Sequence, residues 1–264
     1  SLSSTSRSVV MNEEKPCDYL YQLSRPTGDG NFVTHYDRAD IVDWMYTIVD
    51  KYGIDFEIVA MAMGIVDRFL SNPSSIAQGA LRDRNQFELV ANAALFICIK
   101  TGEEAMPESD FLAGVNRGIH SVPEIEDMES NIRQVLSSGI TAPTSIQIAK
   151  HFLSLALPGV NLEDSRWTYL LDDVRFQLEY AVGDYFFTTQ WPRTVAMAAI
   201  LNSVDELWGQ DCQLMLRAFP SIVDEHFPPL TVTDVMAAKQ RLLVEMERGH
   251  TTVVSEKIIY SKTS

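Results

Sequence analysis

An all-α fold is predicted, built as two five-helix repeats behind a short N-terminal helix. Three features of the 264-residue sequence lead there. Apolar residues recur at the three-and-four spacing of amphipathic helices through most of the chain. Two segments, Phe56–Leu70 and Gln86–Lys100, are apolar on nearly every side, as helices buried inside a bundle are. The run Ile140-Thr141-Ala142-Pro143-Thr144 reads as a linker ending in a helix cap, after which a similar pattern begins again.

Residues 1–15 are Ser-rich and polar, and disorder is expected there. Pro16–Leu23 suits a short helix, with Pro in its first turn and Tyr19, Leu20 and Leu23 on one face. Gly28-Asp29-Gly30-Asn31 breaks the chain. Arg38–Lys51 follows, with Ile41, Val42, Met45, Ile48 and Val49 on its apolar face. Asp55 is placed to cap Phe56–Leu70. Gly79–Arg84 reads as loop, and Gln86–Lys100 carries Ala91, Ala93 and Ala94, which let neighbouring helices approach. Pro107–Ala113 and Pro123–Leu136 complete the first five. The second group is Ser145–Leu157, Arg166–Phe187, Pro192–Leu207 with its own small Ala196, Ala198 and Ala199, Asp211–Ala218 and Val232–Arg248. Only 251–260 has strand character. The expected boundaries are an N-terminal arm over 1–35, a first repeat over 36–140, a second over 141–250 and a tail over 251–264.

The net charge of −15, from 21 Lys and Arg against 36 Asp and Glu, argues against nucleic acid and against an anionic membrane surface. Cys17, Cys98 and Cys212 lie far apart without CxxC spacing, which fits a reducing compartment. Cys98, inside Leu95-Phe96-Ile97-Cys98-Ile99, reads as a small buried hydrophobe. The longest apolar run, Leu89–Ile99, is too short to span a bilayer. Nucleus and/or cytoplasm is the expected location. No Gly-rich phosphate loop follows a strand, no HExxH or GxSxG is present, and the five histidines are isolated. An enzyme is not expected, nor a cofactor or metal.

A few polar residues stand out by position. Arg38 opens the first amphipathic helix, and Asp67, 29 residues later, follows the buried run Met61–Val66. Placed so, they suit a bidentate ion pair, although as isolated residues two surface charges fit equally well. Lys100 ends the most apolar helix, and Glu129, again 29 residues later, lies in Pro123–Leu136. Taken singly, Lys100 is an ordinary lysine at a helix C-terminus and Glu129 part of a solvated face.

Together with Leu89 and Trp44, these residues resemble the cyclin box, the helical module that binds and activates a protein kinase. Asp43-Trp44, Asp67-Arg68-Phe69-Leu70-Ser71, Ala93-Ala94 and Thr141-Ala142-Pro143-Thr144 are similar to further landmarks of that family. The resemblance covers roughly residues 36–140 closely and the second repeat by helix pattern only. It implies two cyclin folds and a structural role for Arg38, Trp44, Asp67 and Leu89, with Arg38 and Asp67 paired between the first two helices. It also implies a kinase-binding face with Lys100 and Glu129 as an exposed polar pair, flanked by Ile140, Tyr19 and Leu20.

Several positions depart from the family pattern. The loop Asn72–Asn85 is longer, Thr101-Gly102 precede Glu103-Glu104, and Ser138 stands where an aromatic is expected. The substrate-docking patch is degenerate: Asp37 and Asp40 replace its apolar members beside Arg38, Ile41 and Trp44. The implied function is a cell-cycle regulatory subunit that activates a cyclin-dependent kinase by moving its C helix, with substrate or inhibitor proteins as further partners. The other class considered is a cyclin-fold scaffold or adaptor that binds a protein without activating a kinase.

Overall fold

The computed structural model describes residues 15–20, 32–101, 119–137, 139–140, 142–156, 165–208, 230–244 and 246. Every regular element among them is helical. In chain order they are α1 (His35–Tyr52), α2 (Glu57–Leu70), α3 (Ser75–Ala80), α4 (Arg84–Thr101), α5 (Val122–Leu136), α6 (Ser145–Ala156), α7 (Ser165–Gly183), α8 (Tyr185–Thr188) and α9 (Pro192–Trp208). A tenth, α10, covers 232–244. The all-α architecture read from the sequence is the one found. The chain divides into two compact units: Glu14–Thr144 with Val182–Thr189, and Ser145–Ala181 with the residues from Gln190 on.

In the first unit α4 is the central helix. Every residue from Leu89 to Ile99 is buried, so the helix has no solvent face over that span. Helices α1, α2, α3 and α5 all pack against it. Ala91, Ala93 and Ala94 are fully buried, and their small side chains let those neighbours come close on several sides at once. The helix ends are fixed locally. Thr34 and Asp37 form a capping box at the start of α1, and Ser121 donates its N–H and O–H to Glu124 at the start of α5. Gly53 ends α1 at φ 65°, a left-handed conformation that favours glycine.

Three boundaries differ from those expected. The long loop 72–85 contains α3, capped by Ser74, whose Ala77 and Ala80 are buried. The single helix expected over Arg166–Phe187 is two, because Asp184 leaves helical geometry and accepts from the Phe186 N–H to start α8. Residues 15–19 are not helical, and a 3₁₀ turn starts only at Leu20. Residues 21–23 of the expected N-terminal helix, the helices expected over 107–113 and 211–218, and the stretch 251–260 lie outside the described residues.

At the heart of the first unit is a buried charge. Arg38 is 2% exposed and holds Asp67 in bidentate fashion, Nε to Oδ1 at 3.0 Å and Nη2 to Oδ2 at 2.9 Å. Its remaining Nη1 donates to the Val182 carbonyl at 2.6 Å. The Tyr19 hydroxyl donates to Asp67 Oδ1 at 2.8 Å. Burial lowers and Asp67 raises the affinity of Arg38 for its proton, and the carboxylate together with Tyr19 prevails, so the guanidinium stays charged. Burial, then the Asp67 charge, pushes the Tyr19 phenol well above its ordinary value of 10.0. Tyr19 also meets Tyr185 edge to face at 5.4 Å. Around it, Cys17 N–H donates to the Thr188 carbonyl at 2.7 Å, and the Tyr185 hydroxyl accepts from Leu20 N–H while donating to Asp18. Residues 17–20 are thus stitched to α8, and both to α1 and α2.

In the second unit α6 packs on α9. Ile146, Ala149, Phe152 and Leu153 are buried, as are Val195, Ala196, Ala198, Ala199 and Ile200. A buried polar network ties three helices together. Gln177 of α7 donates to Ser203 Oγ at 2.8 Å and accepts from Asn202 Nδ2 at 3.0 Å, and Asn202 donates to the Lys239 carbonyl of α10 at 3.1 Å.

Asp67→Ala should lower unfolding free energy by roughly 3–5 kcal/mol, because a buried guanidinium and a buried phenol lose their acceptor together. Urea denaturation monitored by circular dichroism measures this, and a loss under about 1 kcal/mol would show the pair to be dispensable. Stability should also fall on the alkaline side. Tyr19 and Cys98 keep their protons in the folded chain above the values at which the unfolded chain releases them, 10.0 and 9.0. Burial raises the Cys98 thiol to about 12. Their contribution is therefore complete below pH 9 and lost as pH rises beyond it. Melting curves taken in steps of rising pH should decline less steeply for Tyr19→Phe than for the parent chain; equal slopes would contradict this.

Candidate partner-binding site

Lys100 and Glu129 come from the two helices that meet at one end of the first unit. Lys100 stands at the C-terminal end of α4, where the helix dipole favours a cation. Its Nζ lies 3.2 Å from Glu129 Oε2 and 4.4 Å from the centre of the Phe96 ring, one turn back on the same helix. Glu129 projects from the buried face of α5, between Ile125, Met128 and Ile132. A third charge joins them: Arg133, one turn on, donates Nε to Glu129 Oε1 at 2.9 Å, with Nη2 at 2.8 Å. The side chains are 36% exposed for Lys100, 42% for Arg133 and 11% for Glu129. The expectation of an exposed pair is therefore corrected: the carboxylate is the buried member, because a half-sunk anion needs two cations to replace its hydration.

Ile140 is half-buried against the edge of the core. Its backbone is held by Arg68 of α2, which donates to the carbonyls of Gly139 (2.7 Å), Ile140 and Gly64. Arg68 thus fixes the chain just after α5. Leu20 is half-buried as well. Tyr19 is not a surface residue: at 1% exposure, with its hydroxyl on Asp67, it belongs to the buried Arg38 network, and its assignment to the binding face is corrected. Ser138, Glu103 and Glu104 lie outside the described residues.

The degenerate docking patch is rearranged too. Arg38 is withdrawn into the core and offers nothing to a partner. Asp37 is engaged by Thr34 and by Arg84, whose Nε is 3.1 Å away. Asp40 is exposed, and Ile41 and Trp44 are half-buried against the core. Burial, with Asp40 nearby, raises the Asp43 carboxyl above its ordinary value. Leu89 is buried in the α4 packing. Among the described residues no group of three His, Cys, Asp or Glu is placed to hold a metal ion, and no helix is long and apolar enough to cross a membrane.

Comparison with known proteins is consistent with this geometry. The family model "Cyclin, N-terminal domain" matches residues 8–141. The chain is 27% identical over 233 residues to G2/mitotic-specific cyclin-B1 of Oryzias latipes, covering 88% of this chain and 53% of that protein. It is 24% identical to G2/mitotic-specific cyclin-1 of Antirrhinum majus, covering 93% and 50%. It spans about half the length of these curated relatives. Its fold is similar to a viral cyclin from herpesvirus saimiri, with a TM-score of 0.60 at 15% identity over 81% of this chain and 87% of that one. A chain of the CAK complex from Chaetomium thermophilum bound to ATP-gamma-S is similar at a TM-score of 0.54 and 18% identity, covering 86% and 69%. With more than half of its residues matched by the family model and both box pairs formed in space, the chain belongs to the cyclin family.

Proposed function

We propose that the chain is a regulatory subunit without catalytic chemistry of its own, which binds and activates a cyclin-dependent protein kinase. The observation that carries this reading is the polar surface where α4 and α5 meet. Lys100 and Arg133 are held in place by a carboxylate that is itself sunk into the core, so their outward donors are pre-positioned and little side-chain entropy is lost on binding. Such a surface suits the backbone carbonyls and polar groups around a kinase C helix. Half-buried Ile140, held by Arg68, and Leu20, held by Tyr185, would supply apolar contact in this reading.

Activation would follow from binding one state better than the other. If the surface holds the C helix inward, the helix Glu reaches the Lys that orients the ATP phosphates, and the active population rises. Similarity to G2/mitotic-specific cyclins and the fold shared with a viral cyclin support this reading. Substrate docking through the α1 patch is not part of the proposal, since Asp37 and Asp40 stand at its surface and Arg38 is buried.

Affinity capture with the tagged chain, followed by a phosphorylation assay on the captured material, tests the reading. A protein kinase should be retained and become active. Retention of a kinase that stays inactive would favour the scaffold alternative, and retention of none would defeat both the activating and the kinase-binding claims. Lys100→Ala should weaken kinase affinity at least about tenfold, roughly 1.4 kcal/mol, in a chain that stays folded because Arg133 still holds Glu129. Unchanged affinity in a folded Lys100→Ala chain would remove this surface from the interface.

A further inference from the structure

We propose that Arg68 is a positioning residue for partner binding: it holds the Gly139–Ile140 backbone in one conformation, and so sets where the Ile140 side chain meets a kinase. The inference rests on the kinase-binding reading and names the residue that orders its apolar part. Arg68 stands in the last turn of α2. Its Nε donates to the Gly64 carbonyl one turn back at 3.3 Å, which lays the side chain along its own helix. Nη1 donates to the Gly139 carbonyl at 2.7 Å, and Nη2 donates to the Ile140 carbonyl. All three guanidinium nitrogens are thus used on backbone oxygens, two of them on consecutive residues after α5. The Arg68 charge is also felt on α4: burial raises the Cys98 thiol and Arg68 opposes that rise. Cys98 lies two residues before Lys100, so the guanidinium sits near the end of α4 that forms the binding surface.

The segment it holds has little else to fix it. Helix α5 ends at Leu136, and Ser137, at φ 3° and ψ −30°, has left helical geometry. Gly139 N–H reaches back to the Leu136 carbonyl at 3.3 Å. Gly139 is exposed, and among the described residues a methyl group at that position would meet nothing within 4 Å. Glycine has the widest backbone freedom of any residue, so ordering it costs the most conformational entropy. Ile140 is only half-buried at the edge of the core. Arg68 itself is well anchored, because Asp67 beside it is bound to buried Arg38. The segment is therefore ordered on folding, and less entropy remains to be lost when a partner closes on Ile140. A planar guanidinium suits this task better than an ammonium, which is a point donor on a flexible stem.

The test uses the full chain with its isoleucine methyl groups isotopically labelled, alone and with the kinase recovered in the capture experiment. In the chain alone, Arg68→Met should lower the NMR order parameter of the Ile140 methyl, while those of buried Ile97 and Ile132 keep their parent values. Arg68→Lys should give a smaller loss, and it replaces the Met variant if that chain does not fold. Kinase affinity of Arg68→Met should fall about tenfold. Adding Ile140→Ala to it should then weaken binding by less than about twofold more, although Ile140→Ala alone costs about as much as Arg68→Met. Gly139→Ala, which narrows the freedom of the segment, should restore part of the lost affinity. An Ile140 methyl as ordered as in the parent overturns the inference, as do unchanged kinase affinity and full additivity with Ile140→Ala. A parent chain that retains no kinase, with Ile140 still loosened by Arg68→Met, supports the positioning and defeats the kinase reading alone.

Discussion

The buried Arg38–Asp67 pair is the constraint on which the first unit depends. Taking a guanidinium out of water costs several kcal/mol, and only close, well-aligned acceptors offset it. Here the acceptors come from two places, Asp67 on α2 and the Val182 carbonyl at the end of α7, and Tyr19 completes the shell of Asp67 by donating its hydroxyl to it. The helices cannot slide or rotate without stranding a charge in the core. The pair thus adds little net stability compared with a well-packed apolar alternative, yet it fixes one arrangement. Its effect reaches the surface through α2, whose Asp67 and Arg68 are adjacent. One side chain faces inward to Arg38, and the next reaches the carbonyls of Gly139 and Ile140.

Packing around α4 does the rest. Because that helix is buried on all sides, its C-terminal Lys100 emerges at a position set by every neighbour at once. The facing helix α5 buries Ile125, Met128 and Ile132, which brings Glu129 to the edge of the core. Both residues stand on helices, Lys100 at the end of α4 and Glu129 within α5, and with Arg133 they form one ion-paired cluster.

Much of this was legible in the sequence. Helix periodicity marked the elements, the all-round apolar pattern of 86–100 marked the central helix, and the resemblance to the cyclin box linked Arg38 to Asp67 and Lys100 to Glu129. What escaped depended on tertiary placement. Tyr19 reads as an amphipathic surface residue until Asp67, 48 positions away, provides its acceptor. The Val182 carbonyl, 144 positions from Arg38, has no local signature at all. Arg133 did have one: it follows Glu129 by four residues on a helix, the spacing at which opposite charges meet. Helix α3 was hidden because six residues are too few to show a period, and the break at Asp184 because a capping residue inside an apolar run resembles a polar residue on its outer face.

The central claim is that the junction of α4 and α5 is where a kinase binds. Hydrogen–deuterium exchange of the chain alone and with its captured kinase tests it most directly. The account predicts slowed exchange in the peptides covering 96–101, 128–136 and 139–140, with little change along α10, where Val232, Met236 and Leu243 are exposed. Slowing confined to α10, or to the exposed Tyr169–Phe176 face of α7, with the α4–α5 junction unchanged, would contradict it.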